Sequence, residues 1–140
     1  MGYKNAVAKA TNGYDSGLIS YVASNSLDAS SGTLISLVSG LADETGVGVD
    51  IAGVSVTEKL FASDNATVAL AKVTIVPADA DVLYQMPITG GTITIADQGK
   101  YYDITAAQVV DGATESATTG QLQMVEFISA TRGVFKIVNK

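Results

Sequence analysis

Residues 67–76, TVALAKVTIV, decide the fold class. Read at a period of two, the run places Val68, Leu70, Lys72, Thr74 and Val76 on one face and Ala69, Ala71, Val73 and Ile75 on the other. One face is continuously apolar and the other only partly polar. The run is therefore expected to be a strand inside a barrel or sandwich, with something lying over its mixed face. Ten residues at about 3.3 Å each span roughly 33 Å, long enough that a bend or bulge is expected within it. Residues 77–81, PADAD, end it, because proline lacks the amide that a central ladder needs. Asp79 and Asp81, two apart, point to one side if that segment is extended, and two like charges there discourage a further strand from adding on.

The same period recurs on both sides. GLISYVA from Gly17 and TLISLVS from Thr33 read as two strands of one hairpin, joined by the turn formers of residues 25–32, NSLDASSG. Residues 40–48 read as a Gly-rich acidic loop in which the adjacent Asp43 and Glu44 form a solvated turn rather than a cation site. Residues 50–58, DIAGVSVTE, give another strand with a slip near Gly53. Residues 82–86 and 91–96 read as two arms of a hairpin around Pro87, and Gly99 supplies the left-handed position of a turn. Thr105 and Gln108 have the spacing of a capping box, which predicts a helix of one or two turns. The chain closes on residues 121–128 and 134–138, a hairpin with Phe135 and Ile137 on its apolar face and Lys136 on the wetter one.

The expected fold is thus all-β: a barrel-like or sandwich body of eight to ten short antiparallel strands with at most two short helices. At 140 residues it is one domain of ordinary size. We divide it into an N-terminal arm or frayed segment (1–13), a main β domain (14–95) and a closing β section with a short helix (96–140). The arm, with Ala6, Val7, Ala8 and Ala10 between Lys4 and Lys9, fits a short helix or an extended segment equally, and the turn formers Asn12 and Gly13 follow it.

Composition narrows the function. Fourteen acids against eight scattered bases give a net charge of −6, so a phosphate backbone or an anionic membrane surface finds no basic stripe to bind. No run is long and apolar enough for a spanning helix or a signal peptide, and synthesis in a cytoplasm is expected. The chain has no His and no Cys, which removes His-dependent triads, His/Cys zinc sites and thiolate chemistry. Its glycines form no phosphate-cradling motif. Neither an enzyme nor a cofactor is expected. Asn65-Ala66-Thr67 matches a glycosylation acceptor but reads as a turn entering a strand.

Three blocks of sequence carry a resemblance. They are the opening module SGLISYVA (16–23), GTLISLVSG (32–40) and VDIAGVSVTE (49–58), the middle ATVALAKVTIVPADADVLYQMPI (66–88), and the tail GKYYDITAAQVVDG (99–112) with TGQLQMVEFISATRGVFKIVN (119–139). Together, over nearly the whole chain from Asp15, they resemble the small decoration or cement proteins of tailed-bacteriophage capsids. The resemblance implies a non-enzymatic virion protein on the outer face of the head, bound to the major capsid protein and often a homotrimer at local threefold positions. Contact is then expected through the arm, with Lys4, Val7 and Lys9, and through the loops at Asp43 and Asp79. The competing reading is a carbohydrate-binding or adhesive β module with Tyr84, Tyr101 and Tyr102 as surface platform aromatics.

Overall fold

The computed structural model describes residues 7–9, 17–57, 59–60 and 71–140. The protein is all-β. Among the described residues the chain forms thirteen strands, four of them only two residues long, and no helix beyond the three-residue 3-10 turns Ile95–Asp97 and Gly112–Thr114. The strands are β1 (Val7–Lys9), β2 (Ile19–Val22), β3 (Ala29–Ser30), β4 (Leu34–Val38), β5 (Leu41–Glu44), β6 (Gly53–Ser55), β7 (Lys59–Leu60), β8 (Lys72–Pro77), β9 (Leu83–Thr89), β10 (Tyr101–Tyr102), β11 (Val110–Asp111), β12 (Leu122–Ser129) and β13 (Arg132–Ile137). The number exceeds the expected eight to ten because the extended runs are broken into short pieces.

Two sheets divide the chain. A five-stranded sheet in the order β2-β8-β6-β4-β5, with the small pair β3-β7, makes a first lobe; a six-stranded sheet in the order β1-β9-β13-β12-β10, with β11 beside β9, makes a second. After β8 the chain passes from the first sheet to the second at the turn of residues 78–82, and β9 pairs there with β1 and β13.

β8 is the described part of the stretch quoted first, and residues 67–70 lie outside the described residues. It runs between β2 and β6, with Val73 and Ile75 buried and Lys72 exposed, as the period of two requires. Both faces of the first sheet are used. Leu34 and Val54 face a core shared with the second lobe, whereas their neighbours on the other face, among them Ile35, Val73 and Ile75, pack with Ala23, Leu27, Ala29 and Ala42. Ala23 bridges Ala42 and the Ser24 N–H donates to the Ala42 carbonyl at 2.8 Å, so the outer strands β2 and β5 meet and the sheet curls round its own core.

The second lobe also curls. Beyond β10, Ile104 bridges Val110 and the Asp111 N–H donates to the Asp103 carbonyl, which brings the β10 edge round to β11 and so to β9. Inside lie Tyr84, Met86, Ile88, Tyr102, Ile104, Leu122, Met124, Phe135 and Ile137. Each such large apolar side chain contributes about 1.5–3 kcal/mol relative to leaving it exposed. Residues 93–99 cover the remaining edge of β12: the Gly99 N–H donates to Met124 O, and the Ile93 N–H to Ala130 O.

Several local expectations are corrected. The runs at 17–23 and 33–39 do not pair with each other; β2 pairs with β8, and β4 with β5 and β6. The expected loop at 40–48 contains β5, returned from β4 by Ser39 and Gly40, both at positive φ, the backbone of a two-residue hairpin turn. No slip occurs at Gly53, whose register continues onto β8; glycine is needed there because a Cβ would strike the Val76 carbonyl and approach Ile75 Cδ1 to 2.8 Å. Residues 91–96 form no strand. The capping-box spacing at 105–108 opens no helix, because Gln108 takes φ +63° and its side chain is engaged across the molecule. Asp79 and Asp81 do not share an extended segment: Asp79 is in a turn, and Asp81 has φ +56°. The last hairpin forms as expected, but bulges at Val125 and Ile128 turn those two residues outward and let Phe127 pack on the core.

Candidate functional site

The two lobes are joined by three side-chain amides of the C-terminal section. Gln108, in the turn between Ile104 and β11, accepts the Leu34 N–H at 3.0 Å on Oε1 and donates from Nε2 to the Leu34 carbonyl at 2.8 Å. Asn139, just past β13, does the same to Ile51, at 2.8 Å and 2.9 Å. Gln121, at the start of β12, accepts the Ile104 N–H at 2.9 Å and donates to the carbonyls of Gly46, at 3.0 Å, and Val49. Each of the first two amides imitates a neighbouring strand, offering one donor and one acceptor to one residue of the opposite lobe. Gln108 and Gln121 are buried, and all of these polar groups are satisfied.

Along this seam opens a cleft of about 220 Å³ bordered by Asp50, Asp103, Thr119, Gln121, Asn139 and Lys140. Its polar groups are largely committed to the fold. Asp103 Oδ1 accepts the Gln121 N–H at 3.0 Å, the Thr119 hydroxyl lies 3.4 Å from that of Ser116, and the Lys140 ammonium donates to the Tyr101 hydroxyl at 3.3 Å while lying 5.1 Å from the Tyr101 ring centre. The cleft is therefore a seam of structural hydrogen bonds. Among the described residues no three potential metal-ligating side chains come together.

A second polar cluster ties residues 94–100 to the 112–116 turn. Lys100 Nζ bonds Asp97 Oδ1 at 3.0 Å and Glu115 Oε1 at 2.7 Å, and Asp97 also accepts the Thr94 N–H at 2.8 Å. The Thr94 amide and then the Lys100 ammonium hold the Asp97 carboxyl well below the usual carboxylate range, and the Glu115 and Asp97 carboxylates raise Lys100.

The residues expected at a functional surface are scattered. Lys4 lies outside the described residues. The backbone of Val7 and Lys9 pairs with Gln85 and Leu83 of the chain's own β9, so this part of the expected arm is a strand of the second lobe and does not reach away from it. Asp43 is on β5 opposite Ser36, with Oδ1 accepting the Glu44 N–H at 2.9 Å, and Asp79 is in an exposed turn. The tyrosines do not form a surface platform. Tyr84 and Tyr102 are 2% and 1% exposed; Tyr102 meets Phe135 edge to face at 6.0 Å, and burial, followed by the Asp97 and Glu115 charges, pushes its hydroxyl up to about 12. Burial raises Tyr84 as well, and its hydroxyl has no partner among the described residues. Of these three, Tyr101 alone is partly exposed, beside Lys140. Both tyrosines turn inward because β9 and β10 line the same curled sheet.

Sequence reasoning did not single out Gln108, Gln121 or Asn139 as joining residues. The available signal was an amide side chain set next to apolar runs, which does not by itself name a partner 70 or more residues away. The chain matches no protein-family model and no curated protein.

Proposed function

We propose that this chain is a virion structural protein that binds the outer surface of a tailed-phage head and decorates or stabilises the capsid, without enzymatic activity. The observation that carries the reading is the sequence resemblance of its tail, residues 99–139, to capsid decoration proteins. That tail builds most of the second lobe and supplies all three amides that lock it to the first. A body of two curled sheets joined by satisfied hydrogen bonds suits a part that must hold one shape at many equivalent lattice positions. The partners in this reading are the major capsid protein and sister copies in a homotrimer. The protein would be made in the host cytoplasm and end on the virion.

The adhesive alternative loses its main support with Tyr84 and Tyr102 in the core, since a stacking platform needs exposed ring faces. A direct test is to mix the purified chain with head shells lacking it and pellet the shells. Saturable co-sedimentation, at a copy number set by the lattice, is expected; a chain that stays in the supernatant at micromolar concentrations overturns the reading.

A further inference from the structure

The β4–β5 hairpin is fixed at its base and bare at its tip. At the base, Leu34 is held by Gln108, and Gly46 and Val49, just past the hairpin, are held by Gln121. Four residues beyond Leu34, about 13 Å along the strand, the chain reverses through Ser39 and Gly40. Such tips usually carry polar residues. Here Val38 is 52% exposed and Leu41, its cross-strand partner, 40%; Leu37, on the opposite face of the same tip, is 41% exposed. The next pair back on the Val38 face is Ser36 with Asp43, so the apolar pair is bordered by a carboxylate on its own face.

We propose that this hairpin is a docking plug: Val38 and Leu41, with Leu37, enter an apolar recess on the shell protein whose rim carries basic side chains. The inference rests on the reading given under Proposed function and assigns it a surface. Charge selects the occupant. There is no Lys or Arg between residues 10 and 58, and residues 17–82 carry eight acids against two bases, whereas residues 83–140 carry five against four. The lobe bearing the plug thus repels an anionic membrane or a nucleic acid and attracts a basic protein rim. Size excludes a second copy placed tip to tip. Three aliphatic side chains, each about half exposed, fall far below the roughly 800 Å² per partner of a standard interface, so the tip must be enclosed by a recess. A short turn on an anchored base loses little freedom on docking, and repeated copies on one shell add avidity.

The test titrates the full chain onto bare head shells and reads the bound fraction by co-sedimentation. Val38→Asp should bind at least tenfold more weakly than wild type, and the milder pair Val38→Ser with Leu41→Ser should also lose at least tenfold, both with melting lowered only slightly and the chains still folded at the binding temperature, because these positions are about half exposed. Asp43→Lys should weaken binding at low salt, the difference shrinking as salt is raised. Ile128→Ser, an equally exposed aliphatic on the other lobe, should bind as wild type. If wild type binds and both hairpin variants bind equally well, the plug is overturned while the shell reading stands. If wild type fails to bind shells at all, the shell reading falls and the plug with it.

Discussion

The side-chain amide of Gln108 closes on both backbone groups of Leu34, accepting from its N–H at 3.0 Å and donating to its carbonyl at 2.8 Å. Two residues 74 apart are thereby paired as if they lay on adjacent strands. Both partners are buried, so neither group has water to turn to. Removing the amide in Gln108→Ala leaves the buried Leu34 N–H unpaired, while the Leu34 carbonyl keeps the Thr45 N–H at 2.9 Å, and a loss of about 1–3 kcal/mol is expected in urea unfolding. Gln108→Glu should be at least as damaging at neutral pH, since it buries a carboxylate against the Leu34 carbonyl to which the amide donated.

Asn139 combines an amide contact with a left-handed backbone, φ +48°. Asn139→Gly keeps the backbone geometry without strain and deletes only the pairing with Ile51. A loss of about 1–3 kcal/mol by the same measurement separates the hydrogen bonds from the backbone term. An unchanged midpoint would show that the Ile51 pairing adds nothing.

Tyr84 presents the opposite case, a buried hydroxyl without a partner among the described residues. Tyr84→Phe keeps the ring against its neighbours and removes a group that is costly to desolvate. The variant should melt at or above the wild-type temperature, by the equivalent of up to about 1–2 kcal/mol. A drop would show that the hydroxyl is satisfied.

The Asp97–Lys100–Glu115 cluster should be visible in the pH dependence of stability. Asp97 is lowered in the folded chain, so its contribution is full above the ordinary aspartate value of about 3.9 and is lost as pH falls below it. Lys100 is raised, so its contribution is present below its ordinary value of about 10.4 and is lost at higher pH. Thermal melts across pH should show a steeper acid limb for wild type than for Asp97→Asn. Superimposable acid limbs would remove the cluster from the account.

The strands were legible where their pattern is local. The period of two placed Val73 and Ile75 inside, and Phe135 and Ile137 opposite Lys136, as the structure has them. Pairing was not legible, because alternation says which face is buried and not which strand lies alongside; β2 finds β8 more than fifty residues away. The expected helix at 105–108 failed because a capping pattern is worth little against the long-range bonds that Gln108 makes instead. At the candidate site the tyrosines misled for a related reason: a Tyr in a strand looks alike on either face, and only the curl of the second sheet turned Tyr84 and Tyr102 inward. Asp43 was picked out for its acidity in an expected loop, yet the Ser39–Gly40 turn places it on β5, beside Val38 and Leu41.

The central claim, that this chain decorates the outside of a phage head, is tested most directly by reconstructing shells before and after incubation with the purified protein. The account predicts extra density on the outer surface at repeated local threefold positions, in which the two lobes can be placed with the β4–β5 hairpin toward the shell. Identical reconstructions with and without the protein, or added density confined to the shell interior, would contradict it.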